Sequence, residues 1–152
     1  MYAEDSSRYN YRLPYELPDI TMVGWLDFHH EYSMGRTNDE IVSRLRELIV
    51  NRTREFDLHV NTVRGIHPCN LCGHEIRIAG PNGRDVYLGM SEIWMPAEKQ
   101  WFASPSLIFH YMSEHRYVPP KEYCNAIMAV SLDMKIVAQD KYDMVVRAKA
   151  SR

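Results

Sequence analysis

Two cysteines separated by two residues, Cys69 and Cys72, and two later histidines, His110 and His115, constrain this chain more than any other feature. Thiolate and imidazole are the donors that Zn2+ prefers, and a structural site takes four of them at tetrahedral corners. A Cys-x-x-Cys pair aims both sulfurs at one ion when the residues between, here Asn70 and Leu71, form a tight turn. Gly73 follows where a positive φ is often needed. The second pair must come from a distant segment, usually one helix, so that the ion clamps turn to helix. On an ideal helix His110 and His115 lie about 140° apart, so the last turn must tighten or unwind to aim both imidazoles inward. Pro119-Pro120, just beyond, suits such an ending. Two other readings remain open. A CxxC can be a redox pair or two buried thiols, and His67 and His74, which flank the cysteines, are rival donors.

The rest of the chain reads as alternating short elements. Residues 1–20, with Tyr9, Tyr11, Pro14, Tyr15 and Pro18, suggest an extended arm, and residues 21–152 a single domain. Thr21 to Leu26 suits a first strand. Thr37 with Glu40 three residues later forms a capping box, and Ile41, Val42, Leu45, Leu48 and Ile49 then share one helical face to about Asn51. Glu75–Ile78 and Val86–Met90 alternate as half-buried strands around a Gly80-Pro-Asn-Gly83 turn. Residues 93–102 form a strand region interrupted by Pro96. Ser104 as cap and Pro105 at the first position open a second helix running to about His115. A third helix is expected from Lys121 to about Leu132, and the tail suits a helix or a hairpin. The fold class that follows is α+β: a small antiparallel sheet packed by about three helices, with a zinc-finger-like CxxC turn clamped to a helix.

Leu107-Ile-Phe-His110-Tyr-Met-Ser-Glu-His115 resembles the helix of a two-Cys, two-His zinc finger, in which a leucine precedes the first histidine by three positions and an aromatic precedes the leucine. Leu107 and either Trp101 or Phe102 match those positions. Thirty-seven residues separate Cys72 from His110, against about a dozen in a finger, so the finger's hairpin would be expanded into a larger sheet. That expansion speaks against a helix presented alone to DNA. A wider pattern is similar to a family of small, uncharacterised bacterial proteins. It comprises Gly24-Trp-Leu26, Gly65-x-His67-x-Cys69-x-x-Cys72, Trp101-Phe-Ala-Ser-Pro-Ser-Leu-Ile108, His110-Tyr111, His115-x-Tyr117 and Pro119-Pro120, spanning about residues 23–130. That resemblance implies a bacterial origin and a zinc-stabilised fold, and brings no catalytic assignment.

Catalytic signatures are incomplete. HExxH, a Gly-rich phosphate loop and GxSxG are all missing. Zinc deaminases pair a His-x-Glu step with a later Pro-Cys-x-x-Cys. His29-His30-Glu31 and Pro68-Cys69-x-x-Cys72 mimic the two halves, but Gly73 and a strand follow the cysteines where the enzymes have a helix. Four protein donors would also close a zinc site to substrate. Cys124, in an apolar helical setting, suits burial rather than nucleophilic attack. His29, His30 and His59 are expected at the surface or in loops.

With 18 Lys and Arg against 20 Asp and Glu, the chain lacks the basic excess of a nucleic-acid wrapper, so nucleic acid is disfavoured as a partner. No apolar run approaches membrane-spanning length, and three cysteines, an odd number, argue against a disulfide framework, so a cytoplasmic setting is expected. The expectation is a non-enzymatic protein-binding protein with a structural Zn2+ held by Cys69, Cys72, His110 and His115. An immunity protein or antitoxin that neutralises a co-encoded toxin is the specific case. Ten tyrosines would supply contact area, and Glu4, Asp5, Glu16, Asp19 and Glu31 would meet a basic partner face. The alternative is a zinc-finger-like nucleic-acid-binding regulator using Arg44, Arg46, Arg52, Arg54 and Arg64.

Overall fold

A computed structural model describes residues 1–151. The elements are β1 (Ser7–Tyr9), β2 (Leu17–Met22), α1 (Asp39–Val50), β3 (Phe56–Asp57), β4 (His59–Val60), β5 (Arg77–Ala79), β6 (Asp85–Tyr87), β7 (Glu92–Pro96), β8 (Trp101–Pro105), α2 (Ile108–Glu114), α3 (Lys121–Ala129), β9 (Ile136–Val137) and α4 (Ala138–Ala150). The main sheet runs β1-β2-β8-β7-β4 and is antiparallel except where β2 lies parallel to β8. The fold is α+β, as the element pattern predicts. No helix among the described residues is long and apolar enough to cross a membrane.

Alternation along β7 and β8 divides the interior in two. Ile93, Met95 and Phe102 face Leu45, Leu48 and Ile49 of α1, Ile108 and Tyr111 of α2, and Tyr123 and Ile127 of α3. Trp94 and Ala103 point the other way, toward Tyr9, Leu17, Ile20, Met22 and the α4 residues Ala138, Tyr142, Val145 and Val146. Three helices thus cover one face and α4 the other, which explains why Ile93, Trp94 and Met95 are all buried.

The sequence expectation differs from this structure in several places. Residues 1–20 do not stand off as an arm. β1 is one edge strand of the sheet, Tyr9 is fully buried, and β2 begins at Leu17 rather than Thr21. Asn38, not Thr37, caps α1, its side chain accepting from the Glu40 amide at 2.8 Å. Thr37 Oγ1 is buried without a partner. Ser104-Pro105 belongs to β8, because Ser104 and Pro105 pair with Ile93 and Glu92; α2 starts at Ile108 with no side-chain cap. The β5–β6 hairpin pairs with itself and does not extend the main sheet. Its turn does use the predicted Asn-Gly, with Asn82 at φ 61° and Gly83 at φ 71°. The ambiguous tail resolves into β9, which pairs with β3, and α4.

The cap reassignment is testable. Asn38→Ala is expected to lower stability by about 1 kcal/mol, whereas Thr37→Ala should cost less than about 0.5 kcal/mol. Urea unfolding of both variants measures this, and the opposite ranking would restore Thr37 as the cap.

Candidate metal centre

The cysteine turn is built before any ion is considered. Gly73, at φ 77°, donates its amide to the Cys69 carbonyl at 2.9 Å, and the Cys69 amide donates to the His74 carbonyl at 2.9 Å. This closed turn aims the Leu71 and Cys72 amides at Cys69 Sγ, at 3.3 and 3.5 Å. Both contacts favour a thiolate there. Asn70, which the sequence offers only as turn filler, holds the turn in place. Its amide donates to the Leu26 carbonyl at 3.1 Å, and its Oδ1 accepts from His67 Nε2 at 2.9 Å.

The opposing half is the end of α2. His110 sits inside the helix, while His115 is its C-cap at φ −114°, ψ 13°, and Arg116 reverses the chain at φ 57°. The Tyr111 carbonyl accepts from both the His115 and Tyr117 amides at 3.1 Å. The last turn therefore unwinds as the five-residue spacing requires, and the two imidazoles meet 4.8 Å apart between ring centres. Outside contacts fix this ending. Tyr32 Oη donates to the His115 carbonyl at 3.0 Å, and Tyr117 Oη donates to Asp5 at 2.8 Å.

The structure brings Cys69, Cys72, His110 and His115 into one group, with all four donor atoms within 4.8 Å of one another. Cys69 Sγ lies 3.6 Å from His115 Nε2, Cys72 Sγ 3.6 Å from His110 Nε2, and the two Nε2 atoms are 3.1 Å apart. A tetrahedron with Zn–S of about 2.3 Å and Zn–N of about 2.0–2.1 Å has S–N edges near 3.6 Å and an N–N edge near 3.3 Å. These three edges match that figure, and the remaining donor pairs lie within 4.8 Å. A hydrogen bond between the two imidazoles needs His110 and His115 in different tautomers, whereas one shared cation accounts for all three short separations with both Nε2 atoms as acceptors. Neither rival histidine belongs to the group.

Burial sets the electrostatics. Cys69 and His110 are buried, while Cys72 and His115 lie toward solvent. Desolvation pushes the Cys69 thiol up and, reinforced by His115, pushes His110 down, keeping that imidazole neutral with its lone pair available. A bound cation would reverse the penalty on the thiolates. Cys124 lies on α3, outside the group, and burial raises its thiol as well.

His59 corrects the expectation of a surface or loop position, since it is buried. Its Nε2–H donates to the Ile49 carbonyl at 2.8 Å, so Nδ1 accepts from Ser91 Oγ at 2.6 Å. The pair resembles a nucleophile with its base. However, desolvation first and Arg52 second lower the imidazole to about 4, too weakly basic for proton abstraction at neutral pH. The pair instead bolts α1 to the sheet. The tyrosines likewise face inward: nine of the ten are buried or half-buried and only Tyr87 is exposed.

Residues 1–128 match the model of a family described as Domain of unknown function (DUF7919). No curated protein and no solved structure matches the chain.

Proposed function

Since the chain belongs to the DUF7919 family, whose description assigns no activity, we propose from the site itself that it is a non-enzymatic binding protein stabilised by one structural Zn2+ on Cys69, Cys72, His110 and His115. The observation that carries this reading is the convergence of two thiols and two imidazoles, three of whose separations, 3.6, 3.6 and 3.1 Å, suit the edges of a zinc tetrahedron. Four protein donors leave no open position for a substrate or a reactive water, which separates a structural from a catalytic zinc. Two thiolates with two imidazoles also favour Zn2+ over the hard cations, which take oxygen.

The partner class remains a protein with a basic face, a co-encoded toxin being the case of interest. Glu4, Glu16, Asp19 and Glu31 are exposed and support it. The tyrosines no longer do, because their rings are committed to internal packing. The nucleic-acid reading has three of its five arginines engaged within the chain, leaving Arg54 and Arg64 exposed. Arg44 donates to the Val130 carbonyl, Arg46 to the Ala79 carbonyl, and Arg52 pairs with Asp57 at 3.0 Å.

Protein purified without added metal is expected to carry about one zinc per chain by elemental analysis, and Co2+ substitution should give the intense visible bands of a tetrahedral thiolate site. Metal content well below stoichiometry after gentle purification, with no Co2+ bands on reconstitution, would remove the proposal.

A further inference from the structure

Beside the metal centre, on the far side of the Asn70 turn, a cleft of about 170 Å³ opens between the N-terminal segment, Trp25, residues 61–67 and the start of β7. One water needs about 10–15 Å³ of such space, so the cleft admits a molecule of amino-acid size. Glu92 lies on its floor and is only 4% exposed. It sits in the run Met90-Ser-Glu-Ile-Trp-Met95, a lone carboxylate in an apolar strand, a signal the sequence reading passed over.

The hydrogen bonds around Glu92 define its state. Tyr9 Oη donates to Oε1 at 2.6 Å, Trp94 Nε1 donates to Oε1 at 3.2 Å, and Asn61 Nδ2 donates to Oε2 at 2.9 Å. The Asn61 amide is oriented by Gln139, whose Nε2 donates to its Oδ1 at 3.3 Å. All three partners are placed as donors to the carboxyl, the arrangement that suits an ionised carboxylate. Yet none of the ion pairs among the described residues involves Glu92. Burial holds its pKa above the ordinary carboxylate value, against the opposing pull of the three donors and the more distant Arg12. A buried carboxylate without a cation is costly unless a charge reaches it from outside.

The walls suit an amphipathic guest. Tyr11 and Trp25 line one side with ring centres 4.8 Å apart, and Leu107 contributes an apolar surface. Arg12, exposed at the rim, lies with its guanidinium 5.0 Å from the centre of the Tyr11 ring. The cleft is therefore polarised, with a carboxylate at the bottom and a guanidinium at the lip. A simple cation would be repelled at the rim and a simple anion at the floor.

We propose that this cleft binds a small zwitterion of the α-amino-acid class, its ammonium on Glu92, its carboxylate on Arg12 and its side chain against Tyr11 and Trp25. The site is distinct from the metal group, and it goes beyond the reading of a zinc-stabilised binding protein.

The test uses the full zinc-loaded chain and titrates each common protein amino acid separately, followed by intrinsic tryptophan fluorescence and thermal shift. At least one is expected to give a saturable change. Its decarboxylated amine and its deaminated acid should each bind about tenfold more weakly or worse. Arg12→Ala, on the surface, should leave the melting temperature unchanged and abolish the preference for the zwitterion over the amine. Glu92→Gln should abolish binding of both; if that variant does not fold, the Arg12 and analogue arms decide. No saturable response from any amino acid up to about 10 mM, or unchanged discrimination in Arg12→Ala, would overturn the proposal. Loss of zinc stoichiometry would overturn the metal reading while leaving these titrations to judge the cleft.

Discussion

Holding the protein in excess of a strong zinc chelator is expected to lower its melting temperature by more than about 15 °C, with loss of the near-ultraviolet tyrosine and tryptophan signal. Structural zinc contributes about 10 kcal/mol or more of apparent binding energy in small domains, comparable to the whole stability of a typical domain. All three cysteines are free thiols, so no disulfide can substitute for the ion in tying residues 69–72 to residues 110–115. Without the cation, the Cys69 thiol stays buried and protonated, and little more than weak thiol and imidazole contacts joins the turn to the helix. Loosening there propagates directly, because Cys69 packs in the same buried cluster as Leu107, Ile108, Tyr111 and Met112. Cys69→Ser should reproduce the chelated state, whereas Cys124→Ser should keep the zinc and lie within about 1 kcal/mol of the wild type. A chelated protein that melts within two or three degrees of the untreated one would dismiss a structural metal.

The second large effect is expected from a glycine that offers no side chain to the metal group or to the cleft it lines. Gly89→Ala should destabilise by more than about 3 kcal/mol and reduce zinc retention. Gly89 has φ 90°, and a Cβ there would stand 2.1 Å from the His67 carbonyl oxygen. The clash is with backbone, which cannot step aside, and the His67 amide already donates to the Gly89 carbonyl at 2.8 Å. Pushing residue 67 outward would carry the cysteine turn away from α2. Two other glycines grade the effect. Gly73→Ala meets open space but keeps a positive φ of 77°, so about 1 kcal/mol of backbone strain is expected. Gly65→Ala meets open space without a positive φ and should be nearly silent. Denaturant midpoints and metal content for the three variants measure the ranking, and a silent Gly89→Ala would show that the 67–89 contact does not hold the turn.

The metal group was legible because its chemistry is narrow: few residue types bind zinc, and the Cys-x-x-Cys turn and the Leu107–His110–His115 run each meet a strict spacing. Helix α1 was legible for a similar reason, its apolar period surviving an error of one residue in the cap. What could not be read were pairings that depend on distant partners. Ser104-Pro105 carries a helix-start signature, and β7 overrides it by claiming both residues for a strand. Tyr9 and Tyr11 look like loose arm residues until Trp94 and Trp25 are placed beside them. Glu92 looks like an ordinary surface charge until Tyr9 and Asn61, both far away in the chain, converge on it. His59 was misplaced for want of knowing that the α1 carbonyl of Ile49 and the Ser91 hydroxyl would enclose it.

The parallel pairing of β2 with β8, Ile20 opposite Trp101, also sets an order on synthesis. A chain leaving the ribosome displays the apolar residues Leu17, Ile20 and Met22 long before their neighbours on β8 exist. During that interval β2 has β1 on one side and an open edge on the other, the kind of edge that recruits foreign strands. The hazard ends only when residues 101–105 emerge, and α2, with its two histidines, follows within a few residues. Nascent-chain protection of the first strands and completion of the four-donor group are thereby squeezed into one short window of translation.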